Sequence, residues 1–131
     1  MQEPPVDNKK IRIAVIDDDT DFLDLMRDLL ETEGGYEVVS CREWQDAYHF
    51  VKDQQPAAVI LDIRIDGEER GWTILELLTL DPETRRIPVI VCSAAIRPLH
   101  EHQPWLDRFG ICTLPKPFNL DALLEAVARV L

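Results

Sequence analysis

No apolar run in the 131 residues approaches the length of a bilayer-crossing helix, and Met1-Gln2-Glu3-Pro4-Pro5 lacks a signal-peptide pattern. A cytoplasmic location is therefore expected. Cysteine is scarce: Cys41, Cys92 and Cys112 are odd in number and form no C-x-x-C pair. Cys92 and Cys112 fall in apolar runs, which favours buried reduced thiols over disulfides or metal ligands. Positive charge is short as well, with 14 Lys and Arg against 25 Asp and Glu and a net charge of −11. That balance counts against direct nucleic-acid binding, which rests on basic side chains neutralising phosphates. There is no internal repeat beyond one strand–helix unit and no low-complexity segment. What remains is one domain, 46% hydrophobic and 30% charged, large enough to bury a core.

The informative feature is a set of short apolar runs that end in polar groups. Ala57-Ala58-Val59-Ile60-Leu61 stops at Asp62, Ile11 to Ile16 runs into Asp17-Asp18-Asp19, and Ile87 to Cys92 into Ser93. Ile111 to Leu114 is followed by Lys116. Runs of this length read as strands buried on both faces. Tyr36 to Ser40 is shorter and more polar, as at a sheet edge.

Between the runs, apolar residues keep helical spacing. Phe22, Leu25, Met26, Leu29 and Leu30 predict a helix capped by Thr20 or Asp19 and ended by Gly34-Gly35. Trp44, Ala47, Tyr48 and Val51 predict a second helix, stopping before Pro56, and Trp72, Leu75 and Leu78 a third. Pro98 could begin a fourth, short or kinked and regular only from Pro104. Leu120, Leu123, Leu124, Val127 and Leu131 mark the buried face of a last helix opened by Asn119 or Asp121. Ile63 to Gly71 reads as a charged loop, with 66–70 exposed. Residues 1–8 read as a flexible N-terminal tail and 9–131 as the domain. Five strand–helix units imply an α/β fold, a doubly wound five-stranded parallel sheet of flavodoxin-like (βα)5 type, with strand order 2-1-3-4-5.

That order makes strands one, three and four neighbours, so Asp17, Asp18, Asp62 and Ser93 share an edge. Two carboxylates about 4 Å apart at an effective dielectric near 20 repel by roughly 4 kcal/mol, so the group takes up protons or a cation. An all-oxygen set suits Mg²⁺. Zinc is disfavoured: His49 lies on a helix, and His100 and His102 stand at i, i+2, which does not face one ligand position. Metal, the Lys116 ammonium and the Ser93 hydroxyl together form a receptor for a phosphoryl group, and one carboxylate can act as nucleophile. Taken singly, Asp17-Asp18-Asp19 is a solvated turn, Lys116 a surface lysine and Ser93 a strand-end hydroxyl; it is their alignment at four strand ends that points to phosphoryl transfer onto Asp. Arg64 reads equally as a phosphoryl-site arginine or a solvent-facing one. Trp44, Trp72 and Trp105 read as packing rather than a ligand box.

Four motifs in order carry a resemblance: Val15-Ile16-Asp17-Asp18-Asp19, Val59-Ile60-Leu61-Asp62, Val91-Cys92-Ser93-Ala94 and Leu114-Pro115-Lys116-Pro117-Phe118. Over residues 10–131 the chain resembles the receiver domain of two-component response regulators. The resemblance implies that Asp62 accepts phosphate from a sensor histidine kinase or a histidine phosphotransfer protein. It implies Mg²⁺ held by Asp17, Asp18, Asp62 and the backbone carbonyl of Arg64, with Ser93 and Lys116 on the phosphoryl oxygens. It further implies a cis Lys116-Pro117 bond, possible homodimerisation, and no catalysis beyond the domain's own phosphorylation and dephosphorylation. The chain departs from the family pattern at three places. Asp66 stands where proline is usual, and Gly71 comes one residue late. Thr113 replaces the switch aromatic. Pro104 disturbs the fourth helix, part of a face that relatives use for partners. Two other readings compete, a receiver-like scaffold that binds partners without phosphate and a Mg²⁺-dependent phosphohydrolase with Asp17 as nucleophile and Asp19 as acid. Because the sequence ends with the fifth helix, no output module is expected within it.

Overall fold

The computed structural model describes residues 10–65, 68–94 and 101–131. The tail expected over 1–8, the Asp66 departure, the Pro98 helix start and His100 lie outside the described residues. The elements are β1 (Arg12–Ile16), α1 (Thr20–Asp28, extended by a π-helical turn Leu29–Glu33), β2 (Glu37–Cys41), α2 (Trp44–Gln54), β3 (Ala58–Leu61), α3 (Gly71–Leu80), β4 (Val89–Ser93), α4 (Gln103–Arg108), β5 (Cys112–Pro115) and α5 (Leu120–Val130). All strand pairs are parallel, in the order β2-β1-β3-β4-β5. The expected topology is thus present.

The alternation of side chains along each strand divides the interior into two cores. Ile13, Val15, Ala58, Ile60, Ile90 and Cys92 face α1 and α5. Ala14, Ile16, Val59, Leu61, Val89 and Val91 face α2, α3 and α4. Because β3 is central and covered on both sides, all four of its residues are buried.

Several sequence expectations need correction. The buried face of α1 is Leu23, Met26 and Leu30; Leu25 is 51% exposed, because a neighbouring stripe on the same helix is turned outward. β2 lies at an edge as expected, but it is five residues long like β1 and β4, not shorter. β4 begins only after Pro88, which has no amide hydrogen to give a ladder. On α5, Ala126 joins Leu123 and Val127 inside, whereas Leu131 at the chain end is 48% exposed. The expectation of a short helix regular from about Pro104 is met: Pro104 lies in the first turn of the six-residue α4, where its missing N–H costs nothing. Trp44, Trp72 and Trp105 are half-buried against the core, as packing predicts. The three cysteines are free, Cys41 and Cys92 buried but Cys112 only partly so. Among the described residues, no helix is long and apolar enough to cross a membrane.

Candidate functional site

Strand register builds the site. Ile16 pairs with Leu61, so the residues that follow, Asp17 and Asp62, leave the sheet side by side; the Asp62 amide donates to Ile16 O at 3.0 Å. Ser93 pairs with Pro115, and the Lys116 amide donates to Ser93 O at 3.0 Å. Four segments far apart in sequence therefore open at one edge, at the carboxyl ends of β1, β3, β4 and β5.

The Asp17 and Asp62 side chains are each held by the turn that follows them. Asp17 is 1% exposed. Its Oδ1 accepts from the Asp19 amide at 3.0 Å, and its Oδ2 accepts from Lys116 Nζ at 2.9 Å. Asp62 is 8% exposed; its Oδ1 accepts from the Arg64 amide at 3.3 Å, and Lys116 Nζ lies 3.7 Å from its Oδ2. Carboxylate oxygens of Asp17, Asp18 and Asp62 all come within 4.8 Å of one another. Asp19 is spent elsewhere: its carboxylate accepts from the Asp21 and Phe22 amides and caps α1. That leaves it poorly placed to be the acid of a hydrolase. Asp62, Arg64, Ser93, Ala94 and Lys116 line a cleft of about 250 Å³. Arg64 is exposed at its mouth, while Ser93 is buried in its wall.

Burial and crowding set the electrostatics. Burial, then the neighbouring Asp17 charge, pushes the Asp62 carboxyl up to about 6. Asp17 is also raised, by burial first, although its hydrogen bonds to the Asp19 amide and Lys116 oppose this. Burial, the largest single influence, pulls the Lys116 ammonium down, but the hydrogen bond to Asp17 and the charges of Asp17 and Asp62 together outweigh it and raise the group. One ammonium among three carboxylates leaves a surplus of negative charge in a partly desolvated cleft. A hard divalent cation is what such a donor set accommodates.

The loop after Asp62 is charged as expected, with Arg64, Glu68 and Glu69 exposed, but two of its side chains turn inward. Ile63 and Ile65 are fully buried and point into the core, and Ile65 pairs with Glu68 through two backbone hydrogen bonds. The clue was the alternation of two isoleucines around Arg64, a half-buried period. Gly71 closes the loop, its amide donating to Ile63 O at 2.8 Å. A Cβ there would lie 2.5 Å from Asp62 O and 2.4 Å from Ile63 Cα. Only glycine lets α3 begin against the backbone that carries Asp62. The Lys116-Pro117 bond is cis. Sequence reasoning also missed Phe22 as a neighbour of the site: Lys116 Nζ lies over its ring, 3.9 Å from the centroid.

The family model of the response regulator receiver domain matches residues 13–128, and the chain belongs to that family, the phosphoacceptor signalling domains of two-component systems. Polar-differentiation response regulator DivK of Brucella anthropi is 27% identical over 121 residues, 91% of this chain and 94% of that protein. Sporulation initiation phosphotransferase F of Bacillus subtilis is 25% identical over 120 residues, 92% of this chain and 93% of that protein. The chain spans 50% of response regulator MprA of Mycolicibacterium vanbaalenii and 15% of protein RcaC of Microchaete diplosiphon. The receiver domain of sensor histidine kinase PA1611 from Pseudomonas aeruginosa was crystallised with magnesium in its active-site cleft. It matches at a TM-score of 0.77 over 92% of this chain and 96% of that one; at 21% identity this is a likeness of fold.

Proposed function

We propose that Asp62 is the phosphoacceptor, taking a phosphoryl group from a phosphohistidine on a sensor histidine kinase or a histidine phosphotransfer protein. The observation that carries this reading is the convergence of Asp17, Asp18, Asp62 and Lys116 at one sheet edge, with the Asp62 carboxylate lining an open cleft. An Asp62 oxygen attacks phosphorus, a P–O bond forms, and the P–N bond breaks with its electron pair left on the imidazole. Lys116, already between two carboxylates, supplies positive charge to the equatorial oxygens, and Ser93 supplies a hydroxyl from the cleft wall. Asp17, Asp18 and Asp62 would hold Mg²⁺, joined by the Arg64 carbonyl as in the family pattern; bound there, it would neutralise charge on the transferring group.

The domain, taken as 9–131 after a tail over 1–8, acts in the cytoplasm as an acceptor and not as an enzyme on other substrates. Partner contact is favoured by an apolar groove of about 370 Å³ beside the cleft, lined by Phe22, Leu25, Leu29 and Phe118 among others. Exposed Leu25 offers a donor protein an apolar anchor next to the acceptor, and a second copy of the chain could use the same kind of surface.

Treatment with acetyl phosphate and Mg²⁺, followed by peptide mass mapping, tests the reading. Label is expected on Asp62, and it should vanish in Asp62→Asn and in EDTA. Label on Asp17, or label surviving in Asp62→Asn, overturns it.

A further inference from the structure

Lys116 is a shared wall: with Ala94 it lines both the acidic cleft and the apolar groove beside it. On the cleft side its ammonium meets Asp17 at 2.9 Å and Asp62 at 3.7 Å. On the groove side it meets Phe22, whose ring centroid is 3.9 Å away. Phe22 is in turn braced edge-on by Phe118, with centroids 6.2 Å apart and ring planes at 83°. Its backbone is fixed as well, since the Phe22 amide donates to the Asp19 cap. The ammonium is thus held from two directions, by carboxylates ahead and by a π face behind. A lysine side chain has four rotatable carbons and loses much freedom when ordered, so a fixed ring behind it reduces the disorder that the site must otherwise overcome.

We propose that Phe22 is a positioning residue for phosphoryl transfer: its ring face holds the Lys116 ammonium at the cleft, and Phe118 locks that ring in place. The inference rests on Asp62 being the acceptor and adds a residue outside the acidic cleft. It also places Lys116 within reach of events in the groove, because the wall that Lys116 shares with the cleft is backed by an aromatic ring in that groove.

The test compares wild type, Phe22→Leu and Phe22→Tyr for the rate of Asp62 labelling by acetyl phosphate in saturating Mg²⁺. In parallel, the side-chain resonances of Lys116 are recorded by NMR without metal. In wild type, the methylene next to the ammonium should be shifted upfield by the ring current. Phe22→Leu should lose that shift and label about three- to tenfold more slowly, the range expected for a partly desolvated cation–π contact. Phe22→Tyr, which keeps the ring face, should restore both. Should Phe22→Leu fail to fold, pentafluorophenylalanine in place of Phe22 keeps the shape and reverses the ring's charge distribution; the same slowing is expected. Labelling at the wild-type rate in Phe22→Leu or in the fluorinated protein overturns the inference, and so does a slowing that Phe22→Tyr leaves in place. Wild type without label on Asp62 instead overturns the phosphoacceptor reading and takes this inference with it.

Discussion

Two clusters in this molecule pair an aspartate with a lysine, and they behave in opposite ways. At the carboxyl edge of the sheet, Lys116 stands 3.7 Å from Asp62, whose carboxyl is pushed up to about 6 by burial and the Asp17 charge. At the other end of α3, Lys52 stands 3.1 Å from Asp81, which is drawn down to about 2. There the leading cause is a hydrogen bond from the Tyr48 hydroxyl, helped by the Glu83 amide and by Lys52. Lys52 also meets Glu83 at 3.0 Å and is held above the usual lysine range. The lesson is that proximity of a cation does not decide the state of a carboxylate. Asp81, whose side chain is only 13% exposed, is ringed by donors that match its charge: the Tyr48 hydroxyl, the Glu83 amide and the Lys52 ammonium. At the Asp62 end three carboxylates crowd one lysine ammonium in a cleft. One cluster is an electrostatic staple, whereas the other carries surplus negative charge that a cation can take up.

The largest effect on this contrast should come from Gly71→Ala. The added Cβ meets backbone at 2.4 and 2.5 Å, so the start of α3 must move away from Asp62 and Ile63. Overpacking against backbone of this kind costs about 3 kcal/mol. Urea unfolding should show that loss, together with slower Asp62 labelling. The Asp81 cluster, at the far end of α3, should keep its Tyr48 hydrogen bond. A stability equal to wild type would show that the loop yields without cost and that Gly71 does not set the acceptor's position.

Asp62→Asn should come second, with the opposite sign. A carboxyl raised from 3.8 to about 6 binds a proton in the folded chain that the unfolded chain has already released. Its contribution to stability is therefore complete below about pH 4 and lost as pH rises through about 6. Asparagine carries no charge to desolvate, and its amide oxygen can still accept from the Arg64 amide. In metal-free buffer at pH 7 the variant should be more stable by up to about 3 kcal/mol, and the advantage should disappear by about pH 4. Urea midpoints across that range check it; a variant less stable than wild type at pH 7 would mean that the Lys116 contact outweighs burial.

The same contrast explains what could be read from the sequence. An apolar run ending in one carboxylate marks both a strand and the edge where it stops, so Asp17, Asp62, Ser93 and Lys116 were legible, as was the strand order that gathers them. Faces of helices were less legible where two apolar stripes adjoin. On α1, Leu23, Met26 and Leu30 pack inward while Phe22, Leu25 and Leu29 line the groove, and composition alone does not rank the two stripes. The charged loop after Asp62 was legible, but the inward packing of its alternating isoleucines, Ile63 and Ile65, is hidden by the charges around them. The contact between Phe22 and Lys116 joins residues far apart in the chain with no motif between them, so only coordinates reveal it.

The smallest effect, and the one that separates the clusters most cleanly, should be that of Asp81→Asn. A depressed carboxyl stabilises the fold above its unfolded value near 3.8, and that stability is lost as pH falls through about 2. Removing the charge should therefore weaken the protein modestly at neutral pH, less than Gly71→Ala does, and make no difference at the acid limit. The Lys52 side chain is 37% exposed, so its share of the Asp81 interaction is open to screening and should shrink as ionic strength rises. The gain in Asp62→Asn originates first in burial, which salt does not screen, and should largely persist. Urea midpoints for both variants at low and high NaCl give the comparison directly. If the Asp81 effect holds constant with salt, the Tyr48 hydrogen bond and not the Lys52 charge is what fastens α2 to the end of α3.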